Sequence, residues 1–202
     1  MITLRLSIFA SFVLLITACV SKPVTRVEND WQLRQQQINA IKQWQVKGRI
    51  GINAPKQKNS ANFRWQHESK QQHFLLYGTF GTSYADLKQT EQNATLILSD
   101  KEVYQSHDVE QMLLEVLGHP LPIKHMEYWI LGLAYPYEGN DLTFDALGYL
   151  QKVQYKQWTI SYKNYRPYPS FESLYMPGKI TITDGIVTLK LSVREWSKET
   201  DL

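Results

Sequence analysis

The sequence predicts a mostly β protein with a few helices (α+β), built as an incomplete antiparallel β-barrel of about ten to eleven strands. About three helices would cover an apolar cavity on its concave side. Two observations predict this class. Short apolar segments alternate with polar residues and are joined by turn residues, and helical spacing is confined to three short stretches. Three helices are too few to cover both faces of such a sheet, so one face must curl around an interior.

The first helix is predicted at about 29–42, with Asn29 or Asp30 as its cap and Trp31, Ile38 and Ile41 near one face. A strand follows at 44–52, because apolar and polar residues alternate there. The segment 54–60 (APKQKNS) favours a turn. Further strands are expected at about 62–67, 73–77, 83–89, 94–98 and 102–106.

The period then changes to that of a helix. Asp108 and Gln111 resemble a capping box, and Gly118 ends an amphipathic segment whose apolar face runs from Val109 to Leu117. A second short helix is expected at about 123–131, before Gly132. Strands resume at about Tyr149 and end in a hairpin at 180–193 that turns at Asp184-Gly185.

The chain contains one cysteine, Cys19, at the end of an uncharged apolar run. A small buried hydrophobe, a metal ligand and a catalytic thiol are the alternatives to processing, and the neighbouring residues favour processing. Arg5 precedes a run at 6–18 that is too short to span a bilayer. Ile16-Thr17-Ala18-Cys19 resembles a bacterial lipobox, in which the cysteine carries the lipid anchor. We therefore expect a lipoprotein signal peptide at 1–18.

Residues 19–28 are predicted to be a lipidated tether and residues 29–202 a single open-barrel domain. One acyl chain anchors only marginally, whereas two or three anchor stably. Val20 stands where an Asp tends to retain a lipoprotein at the inner membrane. The expected location is therefore the outer membrane, with the domain facing the periplasm.

Charge and motifs exclude several function classes. Lys and Arg number 22 against 19 Asp and Glu, so no nucleic-acid partner is implied. No phosphate-binding loop motif is present, and Ser83 lacks the second glycine of a nucleophile elbow. His119 and His125 do not have a common metal-ligand spacing. We expect neither an enzyme nor a cofactor or metal.

A loop with an apolar tip is the most unusual local feature. Thr79, Phe80 and Gly81 form the centre of the segment GTFGT between two predicted strands. Because loops lie at the surface, Phe80 either folds back onto the core or points outward. In the outward case it stabilises nothing in the folded state, which favours a role in contacting a membrane or an acyl chain.

The lipobox, this loop, the segment LGHPLPIKHMEYWILGLA (117–134) and the segment MPGKITITDGIVTLKLSVREW (176–196) together resemble the LolB family of outer-membrane lipoprotein acceptors. The resemblance implies an unclosed barrel whose apolar cavity takes the acyl chains of client lipoproteins from a LolA-like periplasmic carrier. It also implies delivery into outer-membrane phospholipid, without nucleotide hydrolysis. Phe80 matches an exposed Leu of the family's loop, and Gly-Thr stands in place of Asn-Pro.

The alternation offers candidates for the lining of the acyl cavity, each equally compatible with an ordinary core position. They are Trp44, Val46, Trp65, Leu96, Leu98, Trp129, Ile180 and Ile182. The alternative function is a lipid-anchored scaffold, or a lipoprotein that binds another apolar ligand.

Overall fold

A computed structural model describes residues 31–55, 57–135, 141–171 and 174–198; Cys19 and the cap candidates Asn29 and Asp30 lie outside these ranges. The helices in the described residues are α1 (Trp31–Asn39), α2 (Val109–Leu117) and α3 (Ile123–Trp129). The strands are β1 (Trp44–Ala54), β2 (Gln57–His67), β3 (Gln71–Tyr77), β4 (Ser83–Thr90), β5 (Ala94–Leu98), β6 (Val103–Ser106), β7 (Asp141–Phe144), β8 (Leu150–Tyr155), β9 (Trp158–Pro167), β10 (Tyr175–Thr183) and β11 (Thr188–Ser197).

All the described strands form one antiparallel sheet in the order β6-β5-β4-β3-β2-β1-β11-β10-β9-β8-β7. The order is linear, so β6 and β7 are edges and the sheet does not close. Every pair except β1–β11 joins strands that are consecutive in the chain, and β1 pairs with β11 from Gln45↔Ser197 to Asn53↔Thr188. The prediction of an incomplete antiparallel barrel is confirmed.

The sheet curls around α3. His125 lies against Tyr155 of β8, with ring centroids 4.8 Å apart. Two residues further on, Glu127 approaches His67 of β2 to 3.7 Å. In a flat sheet β2 and β8 would be five strand spacings apart, about 24 Å, whereas two residues advance a helix by about 3 Å. Both contacts are possible only because the two halves of the sheet bend toward each other.

One apolar core fills the concave side. The strand residues that form it follow the alternation of apolar and polar side chains. On β1, Trp44, Val46 and Ile50 are buried, and on β2 Phe63 and Trp65 are buried. The terminal hairpin behaves as predicted, with buried Ile180, Ile182, Leu189, Leu191 and Val193. The apolar faces of α2 and α3 join the same core through Val109, Met112, Leu113, Ile123, Met126 and Trp129.

Helix α2 begins and ends as its sequence predicts, with one difference. A side-chain oxygen of Asp108 accepts hydrogen bonds from the backbone N–H groups of Glu110 (3.1 Å) and Gln111 (3.4 Å). The Gln111 side chain, however, bonds to Glu115, and the Asp108 N–H donates to Ser106 Oγ instead. The capping box is therefore only half formed. Gly118 adopts φ +68° at the C-cap.

Four predicted boundaries or positions were wrong. The segment 54–60 is not all turn, because β2 begins at Gln57 and its backbone pairs with β1 from Ala54↔Gln57 onward. Backbone pairing requires no apolar side chain. Because the first residues of β2 are polar, their sequence did not predict a strand. Helix α1 ends at Asn39 rather than 42, and α3 at Trp129 rather than 131. Leu117 lies off the buried face and is 45% exposed.

One short strand, β7, was not predicted. Its pairing with β8 runs from Asp141↔Gln154 to Phe144↔Leu150 and shifts register between Thr143 and Phe144. A four-residue edge strand with mostly exposed side chains has too short an alternation to be recognised.

We expect Gly48→Ala to destabilise the protein by about 1–3 kcal/mol, because β1 and β11 change register beside Gly48 and leave no room for a methyl group. A Cβ there would lie 2.3 Å from the Ser192 carbonyl oxygen and 2.7 Å from a Phe63 ring carbon. Gly51→Ala on the same strand is the matched control, since its nearest neighbour would be 3.9 Å away. Urea unfolding checks this, and equal midpoints for the two variants would contradict the packing argument.

Candidate functional site

The loop between β3 and β4 (residues 78–82) is a closed turn that holds its apolar tip in place. The Gly78 N–H donates to the Thr82 carbonyl at 2.8 Å, and the Gly81 N–H donates to the Gly78 carbonyl at 3.1 Å. Gly81 has φ +82°, a conformation that favours glycine. The backbone of the loop is therefore fixed by its own hydrogen bonds.

The side chain of Phe80 is 98% exposed, and Thr79 and Gly81 beside it are also exposed. The alternative in which Phe80 folds back onto the core is therefore wrong. Water surrounds the aromatic ring on nearly all sides, so its burial contributes nothing to folding. A large apolar side chain presented in this way is suited to an encounter with another apolar surface.

The predicted cavity residues all lie on the concave side of the sheet or on α3. Leu98 is half-buried against the core and the other seven are buried. They pack on one another and on neighbouring rings: Trp44 has Trp65 and Trp196 at 5.5 Å each, both edge to face. At these positions the interior is filled by side chains, and their role in lining an acyl cavity stays a prediction.

A cleft of about 720 Å³ opens beside this interior, between α1, α3 and the β2–β3 and β4–β5 turns. Of the predicted cavity residues, Trp44 reaches it. One side of the cleft is apolar and includes Ile38, Leu131 and Leu133, whereas the side formed by the turns is polar. The cleft is therefore amphipathic, and it lies at the end of the curled sheet where β1 begins.

Glu127 and His67 both line this cleft, and burial disfavours the charged form of each. Desolvation by burial raises the pKa of Glu127 to about 7, opposed by a hydrogen bond with Tyr128. Burial lowers the pKa of His67, whose ring stacks on Trp44 at 5.0 Å. The separation of 3.7 Å between His67 Nδ1 and the Glu127 carboxyl is within ion-pair range. Both shifts disfavour the charged forms, however, so desolvation determines the state of the pair.

His119, whose spacing to His125 does not suit a metal, is half-buried and has a side-chain partner. Its Nε2 lies 2.7 Å from Asp184 Oδ2 in the β10–β11 turn. Burial acts to raise the pKa of Asp184. Hydrogen bonds from the Val187 and Ile186 N–H groups and from His119 outweigh it and hold the pKa below its usual value. This hydrogen bond fastens the segment after α2 to the β10–β11 turn of the terminal hairpin.

Several buried hydrogen-bond donors of the interior have no acceptor among the described residues. Among them are Trp129 Nε1, Trp196 Nε1 and the Tyr162 hydroxyl. Burial raises the pKa of Tyr162 well above its usual value, so this hydroxyl keeps its proton. An unsatisfied buried donor costs about 1–3 kcal/mol, and each of these groups can donate to an oxygen that enters the interior.

No sequence pattern indicates the Glu127–His67 and His119–Asp184 pairs, because their members are distant in the chain and meet through folding. No group of three or more potential metal ligands occurs in the part of the chain that the structure describes. Within the same residues, no helix is long and apolar enough to cross a membrane.

The family model of the outer membrane lipoprotein LolB matches residues 42–196 of this chain. The outer-membrane lipoprotein LolB of Cellvibrio japonicus is 30% identical over 180 residues, covering 88% of this chain and 89% of the relative. That of Vibrio cholerae is 27% identical and covers 91% of each chain. A crystal structure of a DUF1329 family protein from Desulfovibrio piger has a TM-score of 0.52 at 6% identity, covering 84% of this chain and 91% of that one. This last similarity concerns the fold alone.

We predict that Glu127→Gln becomes more stable than the wild type as the pH rises. Because burial raises the pKa of Glu127 to about 7, the folded protein binds its proton more tightly than the unfolded chain does. The wild type therefore loses stability from the unfolded pKa up to about pH 7 and then levels off, whereas the glutamine variant is spared this loss. Urea unfolding at pH 5 and pH 8 measures the difference. A gap between the variants that does not depend on pH would contradict the assigned shift.

Proposed function

The chain belongs to the family of the outer membrane lipoprotein LolB, and on this premise we propose that it receives acylated lipoproteins from a LolA-like periplasmic carrier and inserts them into the outer membrane. The acyl chains would enter the interior of the curled sheet. Transfer would need neither nucleotide hydrolysis nor a covalent step. The partners are the carrier, the acyl chains of the clients and the phospholipid of the outer membrane.

The observation that carries this proposal is the 98% exposure of Phe80 on a loop with a fixed backbone, in a protein whose concave side is apolar. Exposing hydrocarbon to water costs about 0.8 kcal/mol per methylene, so two or three acyl chains need shelter at every stage of transfer. The interior would supply the shelter, and Phe80 would supply the contact with the bilayer at which the shelter opens.

The unsatisfied donors of the interior support the same proposal. The acyl groups of a lipoprotein include ester and amide carbonyls, which accept hydrogen bonds. Trp129 Nε1 and the Tyr162 hydroxyl have no acceptor among the described residues, and a carbonyl drawn in with the acyl chains would provide one. This would hold the polar end of the ligand through hydrogen bonds from uncharged donors.

We expect a photo-cross-linking residue at Ile180 to capture the acyl chains of a labelled lipoprotein supplied by the loaded carrier. Ile180 is buried in the interior, and its neighbour Lys179 is exposed on the other side of the same strand. A cross-linker at Lys179 is therefore the matched control and should capture little or none. Mass spectrometry locates the product. Equal capture at both positions, or none at Ile180, would rule out the interior as the binding site.

We further expect Phe80→Glu to fold normally and to accept lipoproteins, but to fail in delivering them to vesicles. Its stability should stay within about 0.5 kcal/mol of the wild type, because the side chain contacts little else. Phe80→Leu keeps an apolar tip and should deliver almost as well as the wild type. Co-sedimentation of a labelled client with vesicles measures delivery. Delivery by folded Phe80→Glu at the wild-type rate would remove Phe80 from the mechanism.

A further inference from the structure

The turns of the sheet lie at two opposite ends of its strands. Strand pairing places the β1–β2 turn, the β3–β4 loop and the β5–β6, β8–β9 and β10–β11 turns at one end, here called the loop end. The β2–β3, β4–β5 and β7–β8 turns lie at the opposite end. This assignment follows because each antiparallel strand returns to the end from which its predecessor started.

The three most exposed large apolar side chains of the described residues all lie at the loop end. Phe80 forms the tip of the β3–β4 loop, Ile186 lies in the β10–β11 turn and is 60% exposed, and Val103 begins β6 and is 56% exposed. In the described turns of the opposite end, the most exposed large apolar side chain is that of Leu147, at 41%. The two ends therefore differ in the apolar surface that they present to solvent.

Ile186 is presented on a turn whose backbone is fixed, as that of the β3–β4 loop is. Asp184 Oδ1 accepts hydrogen bonds from the Ile186 N–H at 3.0 Å and from the Val187 N–H at 2.8 Å. Gly185 between them has φ +88°. The Nε2 of His119 lies 2.7 Å from Asp184 Oδ2, which connects the turn to the segment after α2. Tight turns favour Gly, Asn and Asp, so an exposed isoleucine is not required by the turn itself.

We propose that Ile186 is a second contact with the bilayer, which inserts together with Phe80 when the loop end meets phospholipid. The centres of the β3–β4 loop and the β10–β11 turn are four strand spacings apart, about 19 Å along the sheet. One apolar pocket on a protein partner does not span that separation, whereas a bilayer offers hydrocarbon across its whole surface. This inference rests on the proposed function, in which Phe80 alone contacts the bilayer, and extends it.

The loop end is suited to the hydrocarbon of a bilayer rather than to its charge. In the turns of this end that the structure describes, Lys101 and Lys156 are accompanied by Asp100, Glu102 and Asp184. These turns therefore carry no excess of basic groups that would attract an anionic surface. Apolar burial is not an interaction between charges, so salt does not screen it. We expect the contact to form on neutral phosphatidylcholine and to persist at high salt.

Two contacts also orient the domain. A single inserted side chain leaves the domain free to pivot about Phe80, whereas two separated side chains keep the whole loop end against the surface. Because each inserted apolar side chain contributes its own burial, loss of the apolar group at Ile186 should weaken delivery even though Phe80 remains.

The first experiment uses the full-length chain with phosphatidylcholine vesicles that contain a labelled phospholipid, in the presence of the loaded carrier. A photo-cross-linking residue replaces Ile186, Phe80 or Leu147 in turn. Leu147 is the matched control, because it is exposed in a turn at the opposite end. We expect capture of phospholipid at positions 186 and 80, at low and high salt, and little or none at position 147. Mass spectrometry locates the products.

The second experiment measures delivery of a labelled client to the same vesicles. Ile186→Gln removes the apolar group and should deliver about tenfold more slowly than the wild type. Ile186→Leu keeps an apolar side chain and should deliver almost as well as the wild type. Leu147→Gln makes the same kind of change at the opposite end and should leave delivery unchanged. Urea unfolding checks that the variants are folded.

Capture at position 80 without capture at position 186 would overturn the inference and leave the proposed role of Phe80 standing. Capture of the carrier instead of phospholipid at position 186 would identify a protein contact and would also overturn it, as would wild-type delivery by folded Ile186→Gln. If the wild type accepts no client from the carrier while position 186 still captures phospholipid, the proposed function fails and the bilayer contact stands.

Discussion

The two unpaired edges of the sheet are the constraint on which the rest of the structure depends. Strands β6 and β7 lie at opposite edges of the sheet but are consecutive in the chain. The segment that joins them must therefore cross the gap that prevents the barrel from closing. That segment contains α2 and α3, whose apolar faces complete the core. An open barrel in water has to cover the apolar side of its sheet, and this helical connection does so.

The same connection is held to the sheet partly by titratable groups. His119 lies within hydrogen-bond distance of Asp184 in the β10–β11 turn, and Glu127 lies beside His67 at the end of β2. Between them, Lys124 N–H donates to Glu110 and links α3 to α2. Apolar burial by Met126 and Trp129 provides the bulk of the attachment.

Alternation predicted much of the fold because a half-buried strand needs an apolar residue at every second position. It identified the terminal hairpin and the buried face of β1, and the glycines around Phe80 identified the loop. It missed β7 and the start of β2, where pairing is made by backbone groups and the side chains are largely polar. It also missed Arg34, which is buried in α1 beside the stacked rings of Tyr149 and Tyr165, with its guanidinium carbon 5.6 and 5.2 Å from their centroids. An arginine in a helix ordinarily indicates a position exposed to solvent. The two tyrosines are distant from Arg34 in the chain and reach it only when the sheet folds. Whether Phe80 pointed outward depended on tertiary packing, and only the structure decided it.

The filled interior bears on how transfer could proceed without an energy source. If acyl chains enter as proposed, they must displace side chains that otherwise pack against one another, such as Trp44, Trp65 and Trp196. Separating well-packed side chains costs free energy, and that cost is recovered when the ligand leaves and the core repacks. A permanently hollow protein would recover nothing on release and would hold its ligand correspondingly more tightly. A core that repacks after release therefore lowers the affinity for the acyl chains, although each methylene is still shielded from water while it is bound. The bilayer needs no repacking, so it becomes the more favourable site for the chains.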